Sequence, residues 1–180
     1  MTDSTNDSAR ERVSVVTIRA EHPQDAPAIH AVHTASFPTP LEARLVDALR
    51  AAGQLRISLV ATIGGDVVGH VAFSPVTIDG TECGLGLAPV AVLPEHRRQG
   101  IGAALIREGL AAAGRTGCGL VVLVGEPAYY SRFGFGPASR WGLKDEYGAG
   151  DAFQALELRK GAIPEKDGLV RYAPEFAQAC

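Results

Sequence analysis

The chain has 180 residues, 46% of them hydrophobic and 21% charged, a composition that fits one cored globular domain and excludes a disordered chain. Its 17 Lys and Arg stand against 20 Asp and Glu, a formal charge of -3, which disfavours a general binder of nucleic acid or of anionic membrane, since both draw on surplus basic charge. The apolar runs fall well short of the ~20 residues that cross a bilayer, and Cys83, Cys118 and Cys180 are too widely spaced for a disulfide framework or a zinc site.

Residues 1–13 are polar, lack the apolar stretch of a secretory signal and read as a disordered lead, so the expected setting is the cytoplasm, with reduced thiols. Residues 14–19 suit a first strand. A helical pattern follows through Ile29, Val32 and Phe37, opened by Asp25 and Pro27. His30 and His33 lie one turn apart on it, but without a third ligand nearby they read as polar residues flanking a core stripe and not as a metal site. Thr39-Pro40-Leu41-Glu42 has the form of a capping box, and Leu41, Leu45, Leu49 and Ala52 carry a second helix to Gly53. Residues 59–63 and 67–76, joined by Gly64-Gly65-Asp66, predict an antiparallel hairpin.

Residues 85–92 predict another strand. Pro89 cannot donate to a ladder, so the pairing should be interrupted or bulged there. A helix of small residues over 100–113 and a wholly apolar strand at 120–124, of the kind buried on both faces in a parallel arrangement, complete a βαβ unit. A short helix is predicted at 127–132 and weaker strands at 153–158 and 168–172. One domain over 14–180 is expected, with a core at 14–136 and an extension at 137–180.

The chemistry concentrates between Val90 and Ile106. An apolar strand ends at Val92, and Arg97-Arg98-Gln99-Gly100-Ile101-Gly102 leads straight into the helix. Glycines admit a close backbone approach, and the first helical turn offers unpaired N–H groups backed by the positive end of the dipole, which together suit an anion such as phosphate. The plainer alternative is that the two glycines only let helix and sheet pack tightly. A P-loop is excluded because no Lys-Ser/Thr pair follows, and a dinucleotide fingerprint fails because Gly84-x-Gly86 runs into Pro89 within a strand.

Arg97-x-x-Gly100-x-Gly102 after Val90-Ala91-Val92 resembles the acyl-CoA pyrophosphate loop of the GCN5-related N-acetyltransferase (GNAT) superfamily. Gly125 to Phe135, GEPAYYSRFGF, resembles its second signature, and the two together are most similar to the YhbS-like branch. The resemblance implies a mixed, mainly antiparallel α/β (α+β) sheet with helices on both faces and a splayed central strand pair. It implies acetyl-CoA as co-substrate, an unidentified amine as acceptor, direct attack in a ternary complex and no metal. By position, the backbone of Val90, Ala91 and Val92 would receive the pantetheine arm and acyl carbonyl. Arg97 and the stretch Arg98, Gln99, Gly100, Ile101, Gly102 and Ala103 would hold the pyrophosphate, Arg132 would meet the 3′-phosphate, and Tyr130 would be the general acid. Neither nucleic acid nor membrane is an expected partner, while dimers are common among similar proteins.

The chain departs from the family at two places. The fourth strand lacks the usual carboxylate, Leu87 and its neighbours being apolar, and Gly125-Glu126-Pro127 stands where many members carry Asn. No base is assigned; Glu82, His70 and Glu126 are the groups that water could connect, with His70 read as structural. The missing carboxylate keeps open an alternative, a non-catalytic acyl-CoA-binding module. The acceptor pocket is expected between residues 37–42 and the C-terminal extension.

Overall fold

The computed structural model describes residues 15–163 and 167–178; the predicted lead and Cys180 lie outside them. Nine described strands form one sheet: β1 (Val16–Ala20), β2 (Ile57–Ile63), β3 (Asp66–Ile78), β4 (Thr81–Val92), β5 (Leu120–Val124), β6 (Gly136–Pro137), β7 (Leu143–Asp145), β8 (Phe153–Glu157) and β9 (Gly168–Arg171). The main path runs β1-β2-β3-β4-β5-β8-β6, with β9 pairing both β3 and β7. Only β4 with β5 and β7 with β9 are parallel among the described pairs. Four α-helices among the described residues cover it: α1 (Ala26–Ser36), α2 (Leu41–Ala51), α3 (Ile101–Arg115) and α4 (Pro127–Tyr130).

Period-two alternation separates the two faces. Leu59, Ala61, Val71, Phe73, Leu85 and Leu87 pack against Ile101, Leu105 and Ile106 of α3, joined by Tyr129, Tyr130 and Phe133 from α4 and the turn after it. Val60, between Leu59 and Ala61, points the other way, to Ile29 of α1 and Val46 of α2. Farther along that second face the C-terminal extension takes over, Leu143, Phe153 and Val170 covering Val76, Leu120 and Val122. Helices therefore lie on both faces, as the resemblance implied.

Two dipeptide turns set the register of the central strands. Gly64 and Gly65 (φ 60° and 98°) join Ile63 to its partner Asp66, and Asp79 and Gly80 (φ 50° and 84°) join Ile78 to Thr81. Both are tight turns with positive φ throughout, the kind whose twist matches paired strands. The second turn explains why β4 starts at Thr81, four residues before the predicted 85.

Other local expectations need correction. Helix α2 begins after Pro40, which occupies the boundary position without a side-chain cap, so Thr39 stands a residue too early for the expected capping box. His33 does not flank the core stripe of α1 but is fully buried within it, whereas His30 pairs with Asp47 at 2.7 Å. Helix α3 runs past Gly114 to Arg115, and Gly117, with φ 81°, follows it.

The feature that positions the site is the parting of β4 and β5. They pair only at Leu85 with Val121 and Gly86 with Val122. Immediately beyond, Ala88 and Pro89 of β4 together oppose the single residue Ala72 of β3, since Leu87 faces Phe73 and Val90 faces Val71. This bulge falls at the predicted Pro89 and turns β4 away from β5.

Candidate active site

Past the bulge, the backbone of β4 alternates between its neighbour and the opening. Leu93 N–H donates to the Val68 carbonyl of β3 at 2.9 Å, so Val92 faces away from β3, Ala91 toward it and Val90 away again. The Ala91 carbonyl accordingly lies beside Gly69, 3.2 Å from where a Cβ would stand. Of Val90, Ala91 and Val92, Ala91 is thus turned to the β3 ladder, and Val90 and Val92 face the gap. The Val92 carbonyl is itself engaged, accepting from Ser36 Oγ at 3.1 Å and from Arg97 Nε at 3.2 Å.

Arg97 also donates to the Ser36 carbonyl at 2.9 Å. Its guanidinium is a strut between the end of α1, the end of β4 and the loop before α3, bonded only to neutral carbonyls among the described residues. Gln99 is similarly folded back, donating to the Glu95 carbonyl at 3.3 Å. Arg98 takes the left-handed conformation at φ 58°, as does Gly100 at φ 83°. The Gly100 carbonyl accepts the first helical bond, from Ala104 N–H at 2.9 Å. The N–H groups of Ile101, Gly102 and Ala103 therefore precede the ladder of α3 at its positive end.

These groups border a groove of about 410 Å³ that also takes in Val92, His96, Arg97, Arg98, Tyr129 and Arg132. At Gly102 and Gly100 the groove is open and not tight. A Cβ at Gly102 would come no closer than 3.7 Å to Val92 and 3.8 Å to the Tyr129 hydroxyl, and at Gly100 it would meet nothing within 4 Å. At Gly109, by contrast, it would stand 2.3 Å from the Phe73 ring. Helix-to-sheet packing thus demands glycine at 109 and does not demand it at 102.

On the far wall, Arg132 lies over the Tyr129 ring, 4.4 Å from its centroid. Tyr130 meets Tyr129 edge to face at 5.0 Å and lies against Gly125, where a Cβ would stand 2.4 Å from its ring. Burial, with Tyr129 beside it, raises the Tyr130 phenol above its ordinary range and keeps it protonated at neutral pH. Tyr129, to which the sequence assigned no role, borders the groove.

None of the three groups considered as proton acceptors is free. Glu82 is near the start of β4, paired with Arg56 at 3.4 Å. The Glu126 carboxylate accepts from Ala128 N–H at 3.4 Å as the cap of α4. His70 is fully buried in a chain of hydrogen bonds: Nδ1 meets His33 Nε2 at 2.8 Å, Nε2 meets Ser58 Oγ at 2.8 Å, and Ser58 donates to Glu21. Burial works to raise the Glu21 carboxyl, but hydrogen bonds from His70, Arg50 and Ser58 outweigh it and hold it well below the usual carboxylate range. This network, spread over residues 21, 33, 58 and 70, carries no spacing signal that sequence reasoning could have read.

Burial pushes the Cys83 thiol up to about 11 and raises Cys118 as well, which leaves neither as a thiolate nucleophile. Among the described residues, no group of three or more His, Cys, Asp or Glu could hold a metal ion, and no helix is long and apolar enough to cross a membrane.

Comparison with known proteins agrees with this geometry. A family model described as an acetyltransferase (GNAT) domain matches residues 54–137. The uncharacterized N-acetyltransferase YhbS of Escherichia coli K12 is 43% identical over 162 residues, covering 88% of this chain and 97% of the relative. The crystal structure of Escherichia coli YhbS in complex with CoA superposes with a TM-score of 0.88 at 41% identity, covering 91% of this chain and 93% of that one. A GNAT family acetyltransferase from Brucella melitensis, solved with acetyl-CoA, gives a TM-score of 0.76 at 43% identity over 91% and 99% of the two chains.

Proposed function

Because the chain belongs to the GCN5-related N-acetyltransferase (GNAT) superfamily, we propose that it moves an acetyl group from acetyl-CoA to an acceptor amine by direct attack while both are bound. The observation that carries this reading is the space kept at Gly102 beside the unladdered amides of Ile101, Gly102 and Ala103. A diphosphate placed there satisfies those amides and the dipole of α3, with Arg98 and Arg132 adding positive charge at its edges. The pantetheine arm then runs along the outward backbone of Val92 and Val90 into the parting between β4 and β5.

At the end of that path the Val90 N–H is the donor available to the thioester carbonyl. As the amine nitrogen attacks the carbonyl carbon, charge collects on the oxygen, and a donor already in place stabilises it without reorganisation. Collapse breaks the C–S bond, the departing thiolate takes the phenolic proton of Tyr130, and the proton shed by the attacking nitrogen passes to solvent, which returns one to the phenolate. The apolar surroundings that raise the phenol also raise the thiolate, which keeps the transfer matched. With the Cys83 and Cys118 thiols held protonated by burial, no acyl-cysteine is invoked at either.

Calorimetric titration of the full chain with CoA and acetyl-CoA, followed by thiol release with a panel of amines, tests the proposal. Saturable binding and amine-dependent release are expected, with Tyr130→Phe lowering turnover about a hundredfold and leaving CoA affinity unchanged. Folded protein that ignores CoA at millimolar concentration overturns it.

A further inference from the structure

Gln154 is 1% exposed and lies on β8 between the buried apolar residues Phe153 and Ala155. A buried amide requires partners, and those of Gln154 are specific. Its Nε2 donates to the Gly125 carbonyl at 3.0 Å and to the Ala152 carbonyl at 3.5 Å. Two converging carbonyls fix which end of the amide faces them, since only its NH2 group can donate.

The backbone explains why a side chain is needed there. Strands β5 and β8 run antiparallel, with Leu123 opposite Gln154 and Val124 opposite Phe153, so Gly125 comes next, opposite Ala152. Residues paired in this way ordinarily exchange two N–H to carbonyl bonds. Here one is made, from Gly125 N–H to the Ala152 carbonyl at 2.9 Å. The Ala152 N–H is committed to the Ala149 carbonyl at 3.2 Å, within the single turn Gly150–Ala152 that leads into β8. Gln154 Nε2 takes the place of the missing donor. The ladder is thereby carried one residue past the end of β5, with a side chain standing in for main chain.

What depends on Gly125 is the helix that bears Tyr130. Helix α4 has four residues, too few to be stable by itself, so its placement is inherited from the chain that starts it. The N–H groups of Tyr129 and Tyr130 both donate to the Glu126 carbonyl, at 3.0 and 3.1 Å, and the Glu126 side chain caps the same turn. Glu126 follows Gly125 directly. The Tyr130 ring in turn lies on Gly125 itself, over the spot a Cβ would occupy. A shift of the Gly125 peptide therefore moves the turn and the ring together.

Resting on the acetyl transfer proposed above, with Tyr130 as its acid, we infer that Gln154 is a positioning residue for the proton transfer. It pins the Gly125 carbonyl and through it the Tyr130 phenol.

The test measures thiol release from acetyl-CoA by the full chain, with whichever of propylamine, spermidine and a lysine-containing peptide is turned over fastest. Gln154→Met, Tyr130→Phe and the double variant are compared, and calorimetry gives the CoA affinity of each. Gln154→Met keeps the length of the side chain and loses the donor. It is expected to lower kcat about tenfold, as displacement of a reacting group does, with the Kd for CoA unchanged. In the Tyr130→Phe background the same substitution is expected to cost less than about twofold, because the proton it helped to place is gone. Losses that multiply in the double variant, or an unchanged kcat in Gln154→Met, overturn the inference and leave acetyl transfer in place. Gln154→Glu gives a second reading, since its carboxyl donates to Gly125 only when protonated. Its kcat relative to that of the unsubstituted chain is expected to fall as the pH rises, and a constant ratio overturns the inference. CoA affinity lost in both Gln154 variants marks a role in the fold at large and overturns it as well. Full turnover by Tyr130→Phe, or CoA binding without turnover of any of the three amines, removes the acid step and this inference with it. Failure to bind CoA overturns the proposed function itself.

Discussion

His33 and His70 meet inside the protein with 2.8 Å between Nε2 and Nδ1, and neither ring is exposed. Burial, then the charges of His70, Arg50 and His30, hold His33 down to about 3, and burial also lowers His70 against the opposing pull of Glu21. In the unfolded chain both return to ~6.5. Below that pH the unfolded state binds protons that the folded state refuses, so stability is complete above ~6.5 and is lost as the pH falls. Between about pH 6.5 and 4.5 His33 is expected to remove roughly 1.4 kcal/mol per unit, with His70 acting in the same direction, before carboxyl protonation contributes. Urea unfolding across that interval measures it, and a flat profile contradicts the neutral buried pair.

The glycines of α3 should respond in opposite ways. Gly102→Ala removes a helix-interior glycine without a clash, so thermal stability is expected to hold or rise by up to about 1 kcal/mol while CoA affinity falls. Gly109→Ala drives a methyl into the Phe73 ring and is expected to cost about 1–3 kcal/mol of stability. Thermal melts with and without CoA separate the two effects. Gly102→Ala binding CoA normally contradicts the reserved space.

Arg97 acts through the carbonyls of Val92 and Ser36. Arg97→Ala is expected to weaken CoA binding several-fold by loosening the loop, and Arg97→Lys to recover little, because one ammonium cannot reproduce the two-pronged fork. Full recovery with Lys would identify simple charge as its contribution.

Tyr129 and Tyr130 divide between binding and chemistry. Tyr129→Phe deletes a hydroxyl that borders the groove near Gly102, so it should raise the Kd for CoA with kcat nearly unchanged, the opposite of Tyr130→Phe. Steady-state kinetics at saturating acetyl-CoA distinguish them. A kcat loss in Tyr129→Phe matching that of Tyr130→Phe contradicts the assignment.

What the sequence made legible was local. The run 120–124, the Gly64-Gly65 turn and the Arg97 to Gly102 loop each carry their signal within a few residues; the first two formed the strand and turn expected, and the third leads into α3. Pro89 announced its bulge because a residue without an N–H leaves a mark wherever it sits. What stayed hidden depends on distance and on phase. The hydrogen-bonded set Glu21, Ser58, His70 and His33 is assembled from three strands or their ends and a helix. The orientation of Ala91 follows from how the bulge resets alternation along β4, and Arg97 becomes a strut only because α1 ends beside it. Thr39 misled because a capping pattern one residue out of phase looks the same on paper.

The dipeptides Gly64-Gly65 and Asp79-Gly80 carry a burden beyond reversing the chain. Side chains on a strand alternate strictly, so adding one residue at either turn would exchange every inward and outward position along β3. Phe73 would leave the layer beneath α3, while His70 and Ser74 would be thrust into it. A change of length by one residue in these turns therefore has to be absorbed by a further bulge, a parity constraint that couples two solvent-facing corners to chemistry at the middle of the sheet.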